Sequence, residues 1–156
     1  MAENPLFKTA LSKAMRHCSL REICCSDIEN RLETWGIHGS DCQKIIEILI
    51  QENFINEERY ARAYVKDKFN HNRWGRIKIA SQLKAKNIPT GTISEALGTI
   101  DNESYRNILK SLIEGHRRSL KAKNTWEMKA KLLRFGLSRG FESSLLYELL
   151  NDAEEL

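Results

Sequence analysis

Four cysteines, Cys18, Cys24, Cys25 and Cys42, with His17 and His38 among them, are the side chains of this 156-residue sequence best suited to chemistry. Thiolates and imidazoles bind zinc, and a thiolate attacks electrophiles. Their spacing supports neither use. No C-x-x-C pair is present, adjacent cysteines such as Cys24 and Cys25 rarely bridge each other, and the ligand spacing of structural zinc sites is missing. Reduced, partly buried thiols without a metal are expected. His71 and His116 lie far from the other two histidines, and no carboxylate cluster suggests a nuclease-like metal site. The sequence also lacks a G-x-x-x-x-G-K-[ST] phosphate loop, a G-x-G-x-x-G turn and an H-E-x-x-H helix. It reads as a protein without catalysis or cofactor.

Charge is the stronger signal. The formal net charge is +4, but residues 107–139 hold nine basic side chains (Lys110, Arg117, Arg118, Lys121, Lys123, Lys129, Lys131, Arg134, Arg139) against Glu114 and Glu127, a net of +7. Beyond them Glu142, Glu148, Asp152, Glu154 and Glu155 have no basic counterpart. Such asymmetry favours a polyanion or an acidic protein surface as partner, with the acidic tail held elsewhere or competing for the basic face; a plain solvated helix surface is the alternative.

Those side chains must be positioned by a repeated element. Ile28-x3-Leu32-x3-Gly36-Ile37 recurs as Ile79-x3-Leu83-x3-Asn87-Ile88, and more loosely as Leu132-x3-Gly136-x3-Gly140-Phe141, 51 and then 53 residues along. Nine positions after the closing residue stand Ile46, Leu97 and Leu150, with Cys42, Ile93 and Leu146 one helical turn before them. Short units of this kind bury little apolar surface alone, so stacked copies form an elongated body with a long contact surface.

Periodicity is helical throughout. A first helix is expected over Leu6–His17, a second from Ser26, where Ser26-x-x-Glu29 reads as a capping box, to Gly36, and a third from Ser40 to Asn53. Asn56 reads as an N-cap ahead of a helix bearing Tyr60, Tyr64 and Val65, with Glu57 and Glu58 in its first turn. In the second copy, Arg76–Lys86 ends at Asn87-Ile88-Pro89, Thr92 or Gly91 opens the next helix, and Asp101-Asn102-Glu103 caps a helix carrying Tyr105, Leu109 and Ile113. The third copy runs from Trp126 to Leu150 and stops before a full third helix of its own. The predicted class is all-α: three-helix, helix-turn-helix-like units forming an elongated, curved body. Its divisions are an N-terminal helix and lead-in at 1–25, unit 1 at 26–70, unit 2 at 71–120, and a short unit 3 with the acidic tail at 121–156. Disorder is expected at Met1–Pro5 and Asn151–Leu156. No targeting segment or membrane span is evident, which makes a cytoplasmic location the expectation.

The segments Phe54-Ile55-Asn56-Glu57-Glu58-Arg59-Tyr60-Ala61-Arg62-Ala63-Tyr64-Val65 and Trp74-Gly75-Arg76-Ile77-Lys78-Ile79, followed by Leu83 and Lys86-Asn87-Ile88, resemble the bacterial RecX family. Lys131-Leu132-Leu133-Arg134-Phe135 and Arg139-Gly140-Phe141 continue the likeness, which departs at Gly136, where a large apolar residue is usual. The resemblance spans Ser26 to Leu150. It implies a monomeric regulator of the RecA recombinase whose tandem three-helix units lie in the groove of the RecA filament on DNA. Such a protein inhibits ATP hydrolysis and strand exchange, and with them recombination, DNA repair and the SOS response; weak single- or double-stranded DNA binding assists it.

Contact residues are expected at Arg73, Arg76, Lys78, Lys84 and Lys86 in unit 2, and at Lys121, Lys123, Lys129, Lys131, Arg134 and Arg139 in unit 3. Arginine suits forked recognition of carboxylate or phosphate. Trp74 reads as a plug between units rather than a stacking residue, and Trp35 and Trp126 as residues of packing or unit interfaces. For Arg59 and Arg62, partner contact and intramolecular pairing with Glu57, Glu58 or Asp67 stay open. The rival function is a sequence-independent DNA-binding helical protein acting directly on DNA, since a basic face binds phosphates without reading sequence. A helical adaptor for an unrelated acidic protein is a third reading.

Overall fold

The computed structural model describes residues 5–152. Among them are nine α-helices and no strand: α1 (Pro5–Leu20), α2 (Cys25–Thr34), α3 (Gly39–Gln51), α4 (Glu57–Asp67), α5 (Arg76–Ala85), α6 (Thr90–Leu97), α7 (Asn102–Ser119), α8 (Thr125–Ser138) and α9 (Ser143–Asp152). One π-helical turn, Lys68–Asn72, continues α4. No described helix is long and apolar enough to cross a membrane. The disorder expected at the ends concerns mainly residues 1–4 and 153–156, which lie outside the described residues; Pro5 opens α1, and Asn151 and Asp152 close α9.

The sequence repeat is a repeat of helix-ending turns. Gly36, Asn87 and Gly140 take positive φ values of 85°, 63° and 91°. The next residue then turns back, so that the amides of Ile37, Ile88 and Phe141 donate to the carbonyls of Leu32, Leu83 and Gly136 at 2.9, 3.2 and 3.1 Å. This satisfies carbonyls that a helix end otherwise leaves open, and it drives the closing apolar residue into the core. Ile28, Leu32 and Ile37, like Ile79, Leu83 and Ile88, are buried, as are Leu132 and Phe141. Gly136 is buried too, and a side chain there would collide with Leu146, which fills the volume that a larger residue would take.

Each turn joins a pair of packed helices, α2 with α3, α5 with α6, and α8 with α9. A further helix completes each group: α1 packs on α2 and α3, α4 chiefly on α6, and α7 on α8. In sequence α4 and α7 follow the pairs α2–α3 and α5–α6; in space they lie against the pairs that come after them. Two apolar clusters result. One joins residues from Phe7 to Ile55, and the other joins Cys24 to residues from Tyr60 to Leu150, so the second and third groups share a continuous core.

Caps set the starts. Asn56 and Asp101 accept from the amides of Arg59 and Ser104, as expected, and Asn124 does the same for Glu127 at 2.8 Å. Ser26 does not cap. Helix α2 begins a residue earlier, with Cys24 at the cap position, and its first amide, that of Cys25, donates to the Glu57 carboxylate at 3.4 Å. Ser26 therefore sits inside the first turn. Likewise α6 opens at Thr90, because Pro89 at φ −59° already sets the helical entry. Trp126, expected in packing, is 79% exposed: the buried side of α8 is occupied by Leu132 and Gly136, and Trp126 lies away from it.

Candidate functional site

The densest polar arrangement lies where the start of α5 meets the turn between α8 and α9. Gly75, the residue preceding α5, donates its amide to the carbonyl of Arg139 at 2.7 Å, and Ile77 donates to that of Gly140 at 2.9 Å. The approach is so close that a Cβ on Gly75 would come within 3.0 Å of the Gly140 carbonyl and the Phe141 amide nitrogen. A Cβ on Gly140 would meet Lys78 in the same way. Two glycines thus permit direct backbone docking between the second and third helix groups.

Side chains close over this contact. The Arg76 guanidinium pairs with Glu142 at 3.0 Å, donates to the Asn102 side chain at 2.7 Å and lies 3.9 Å from the centre of the Tyr105 ring. Tyr105 accepts from the Arg76 amide at 3.0 Å and donates its hydroxyl to Glu142. Burial, then the bond to Glu142, hold the phenol well above its ordinary pKa, so it remains a donor. Tyr105 also stacks with Phe69 and packs against Phe141. Arg76 is therefore engaged within the molecule, by partners 26 and 66 positions away that no local pattern reveals.

Lys86 is similarly engaged. Its ammonium donates to both oxygens of Asp27 at 2.9 and 3.1 Å, joining the end of α5 to α2. Burial lowers its pKa, but the Asp27 hydrogen bond and charge outweigh burial and raise it. Arg59 makes a second link across the same joint, to Glu22, and also caps the carbonyls of Asn53 and Phe54. Between these links lies an open groove of about 750 Å³ lined by Arg21, Asp27, Arg31, Tyr64 and Lys68 among others. Trp74 is half-buried against the core, with Lys68 and Lys78 over its ring at 5.1 and 4.6 Å. Arg62 is exposed.

The remaining candidate cations do not converge on one pocket. Arg73 is exposed and holds a left-handed backbone, φ 55°, at the end of the π-helical turn; Lys84 is exposed on α5. In the third group, Lys121 and Lys123 stand exposed in the segment before α8. Lys131 pairs with Glu127 at 3.0 Å and donates to the Lys121 carbonyl, Lys129 donates to Asn151 at 3.2 Å, and Arg139 lies over the Phe135 ring. Arg134 is exposed, its Nε reaching the carbonyl of Ala130 at 3.4 Å. The Lys131 hydrogen bond holds the Glu127 carboxyl below its ordinary pKa.

Among the described residues no cluster of His, Cys, Asp and Glu is placed to hold a metal ion. All four cysteines are free, and burial raises every thiol pKa, that of Cys25 to about 11. Arg76 and Lys86 thus link helix groups, while Arg73, Lys84, Lys121, Lys123 and Arg134 remain exposed.

Residues 56–97, α4 to α6, match the family model described as RecX, second three-helix domain. A regulatory protein RecX of Clostridium perfringens strain 13 is 29% identical over 132 residues, covering 81% of this chain and 61% of the relative. The chain thus spans about three fifths of the length of the first relatives it matches. One from Herminiimonas arsenicoxydans is 24% identical over 144 residues, with 92% of each chain covered. The crystal structure of RecX from Lactobacillus salivarius superposes with a TM-score of 0.82 over 97% of this chain and 98% of that one, at 21% identity. A second, of a regulatory protein RecX, reaches 0.85 over 94% and 73%, at 24% identity. The matched segment and the curated relatives make this chain similar to RecX regulatory proteins, and the solved structures share its all-helical fold.

Proposed function

We propose that this protein is a monomeric cytoplasmic regulator that binds in the groove of a RecA filament on DNA and there lowers ATP hydrolysis and strand exchange, restraining recombination and the SOS response. One observation carries the reading: the backbone docking of Gly75 and Ile77 on Arg139 and Gly140, locked by Arg76, Glu142 and Tyr105, joins two repeated units into one stiff piece. Stiffly joined units touch successive protomers of a polymer as one ligand, so that weak contacts reinforce each other at high effective concentration. Inhibition then follows if the bound body favours a filament state that turnover must leave. No bond-making chemistry is assigned to the chain itself.

Of the contact residues, Arg73, Lys84, Lys121, Lys123 and Arg134 are exposed and serve the partner, with Lys78, Lys129, Lys131 and Arg139 lying half-buried beside them. Arg76 and Lys86 act by holding the joints. The test is ATP hydrolysis by RecA on single-stranded DNA with increasing amounts of this protein. A marked fall at substoichiometric ratios is expected; undiminished hydrolysis refutes the proposal. Direct action on DNA instead requires tight, steeply salt-dependent binding to DNA without recombinase.

A further inference from the structure

Helix α8 is apolar on two sides. Its inward side places Leu132 and Gly136 in the shared core. On the outward side Trp126 and Leu137 stand three turns apart with the half-buried Ala130 between them, on one line of the helix, while Leu133 beside them packs against the core. Trp126 is 79% exposed and Leu137 44%, although a surface helix needs only one apolar stripe. A largely exposed tryptophan in line with a leucine is a costly surface unless something covers it.

Cations border this stripe. Arg134 is exposed on the same helix and Lys123 is exposed three residues before Trp126, and within residues 107–139 the only acidic side chains, Glu114 and Glu127, are already paired with Arg117 and Lys131. The local field is therefore positive, with no free carboxylate to repel an acidic partner. A nucleic acid would use the charge, but it has no use for an aliphatic residue such as Leu137 three turns from the tryptophan. Apolar side chains in line, with cationic flanks, fit a protein.

We infer that the outward line Trp126–Ala130–Leu137 of α8 docks a protein surface of complementary form, an apolar helix ridge edged by carboxylates, on the partner filament. This rests on the function proposed above, because it names the face that meets the filament. Trp126 is the main anchor, and Arg134 and Lys123 pair with the carboxylates at the rim.

The full chain and two variants, Trp126→Ala and Leu137→Ser, are cosedimented with RecA filaments on single-stranded DNA, and binding to a thymidine oligonucleotide alone is measured in parallel. Both side chains are exposed, so circular dichroism and melting temperature should match wild type. The expected result is that each variant loses at least about tenfold in filament affinity, while oligonucleotide affinity stays within about twofold. Tryptophan emission of the wild type should also shift to the blue on filament binding. Variants that bind filaments as tightly as wild type overturn the docking surface and leave the proposed function standing. Equal losses for filament and oligonucleotide show that the stripe meets nucleic acid, which also overturns it. A wild type that does not bind filaments overturns both.

Discussion

Replacing Gly75 by alanine adds a single methyl group at the point where two helix groups touch backbone to backbone. The added carbon would come within 3.0 Å of the carbonyl carbon and oxygen of Gly140 and of the Phe141 nitrogen, atoms that cannot rotate away like a side chain. Relief requires the turn between α8 and α9 to withdraw. Overpacking of a tight site costs about 1–3 kcal/mol, and withdrawal weakens the Gly75 to Arg139 and Ile77 to Gly140 hydrogen bonds, at about 0.5–1.5 kcal/mol each. The sum, about 2–6 kcal/mol, corresponds to a fall in melting temperature of about 6–18 °C for a chain of this size. Gly115→Ala is the control, because it lies within α7 with nothing within 4 Å of its would-be Cβ. It should raise stability by about 0.5–1 kcal/mol. Thermal and urea melts followed by circular dichroism at 222 nm measure both. A Gly75→Ala protein that melts with the wild type would refute the close approach and, with it, the stiff joint.

Leu83→Ala, at a fully buried position of α5, should cost about 2–5 kcal/mol in a urea titration. Asn56→Ala removes the acceptor for the Arg59 amide and should cost about 1 kcal/mol, while Asn56→Asp restores most of it. Arg76→Ala and Glu142→Gln, made singly and together, should couple in a double-mutant cycle of stability, since each leaves the other's partner behind; additive effects would show that the pair does not act as one. The Cys25 thiol, held near a pKa of about 11 by burial, binds its proton more tightly folded than unfolded. Its contribution to stability is thus complete below the ordinary value of 9.0 and is lost as pH rises from there toward 11. Alkylation by iodoacetamide at pH 7.5 should be much slower in the native protein than in urea, and equal rates would contradict the burial.

What the sequence discloses here is local and periodic. Gly36, Asn87 and Gly140 end their helices in the left-handed conformation that Gly and Asn adopt most readily, so the repeat and its core positions could be read directly. Asn56 and Asp101 were legible as caps for the same reason, their acceptors lying three residues from the amide served. Ser26 misled because the spacing of a capping box cannot say which residue is first to leave the helix, and Cys24 takes that place. The network around Arg76 was not legible. Its carboxylate lies 66 positions away and becomes a neighbour only when two helix groups dock. Trp126 misled too: composition favours burial of tryptophan, but only packing decides which side of α8 faces the core.

The division of the apolar interior into two clusters bears on how the chain comes off the ribosome. The first cluster is complete once residue 55 has emerged, so α1 to α3 can close upon themselves while two thirds of the polypeptide is still being made. The second must wait for Phe141, Leu146, Leu149 and Leu150. During that interval α4 to α7 carry uncovered apolar faces, and a stall or truncation before α9 leaves a folded head joined to an adhesive remainder, the species a chaperone would be expected to hold.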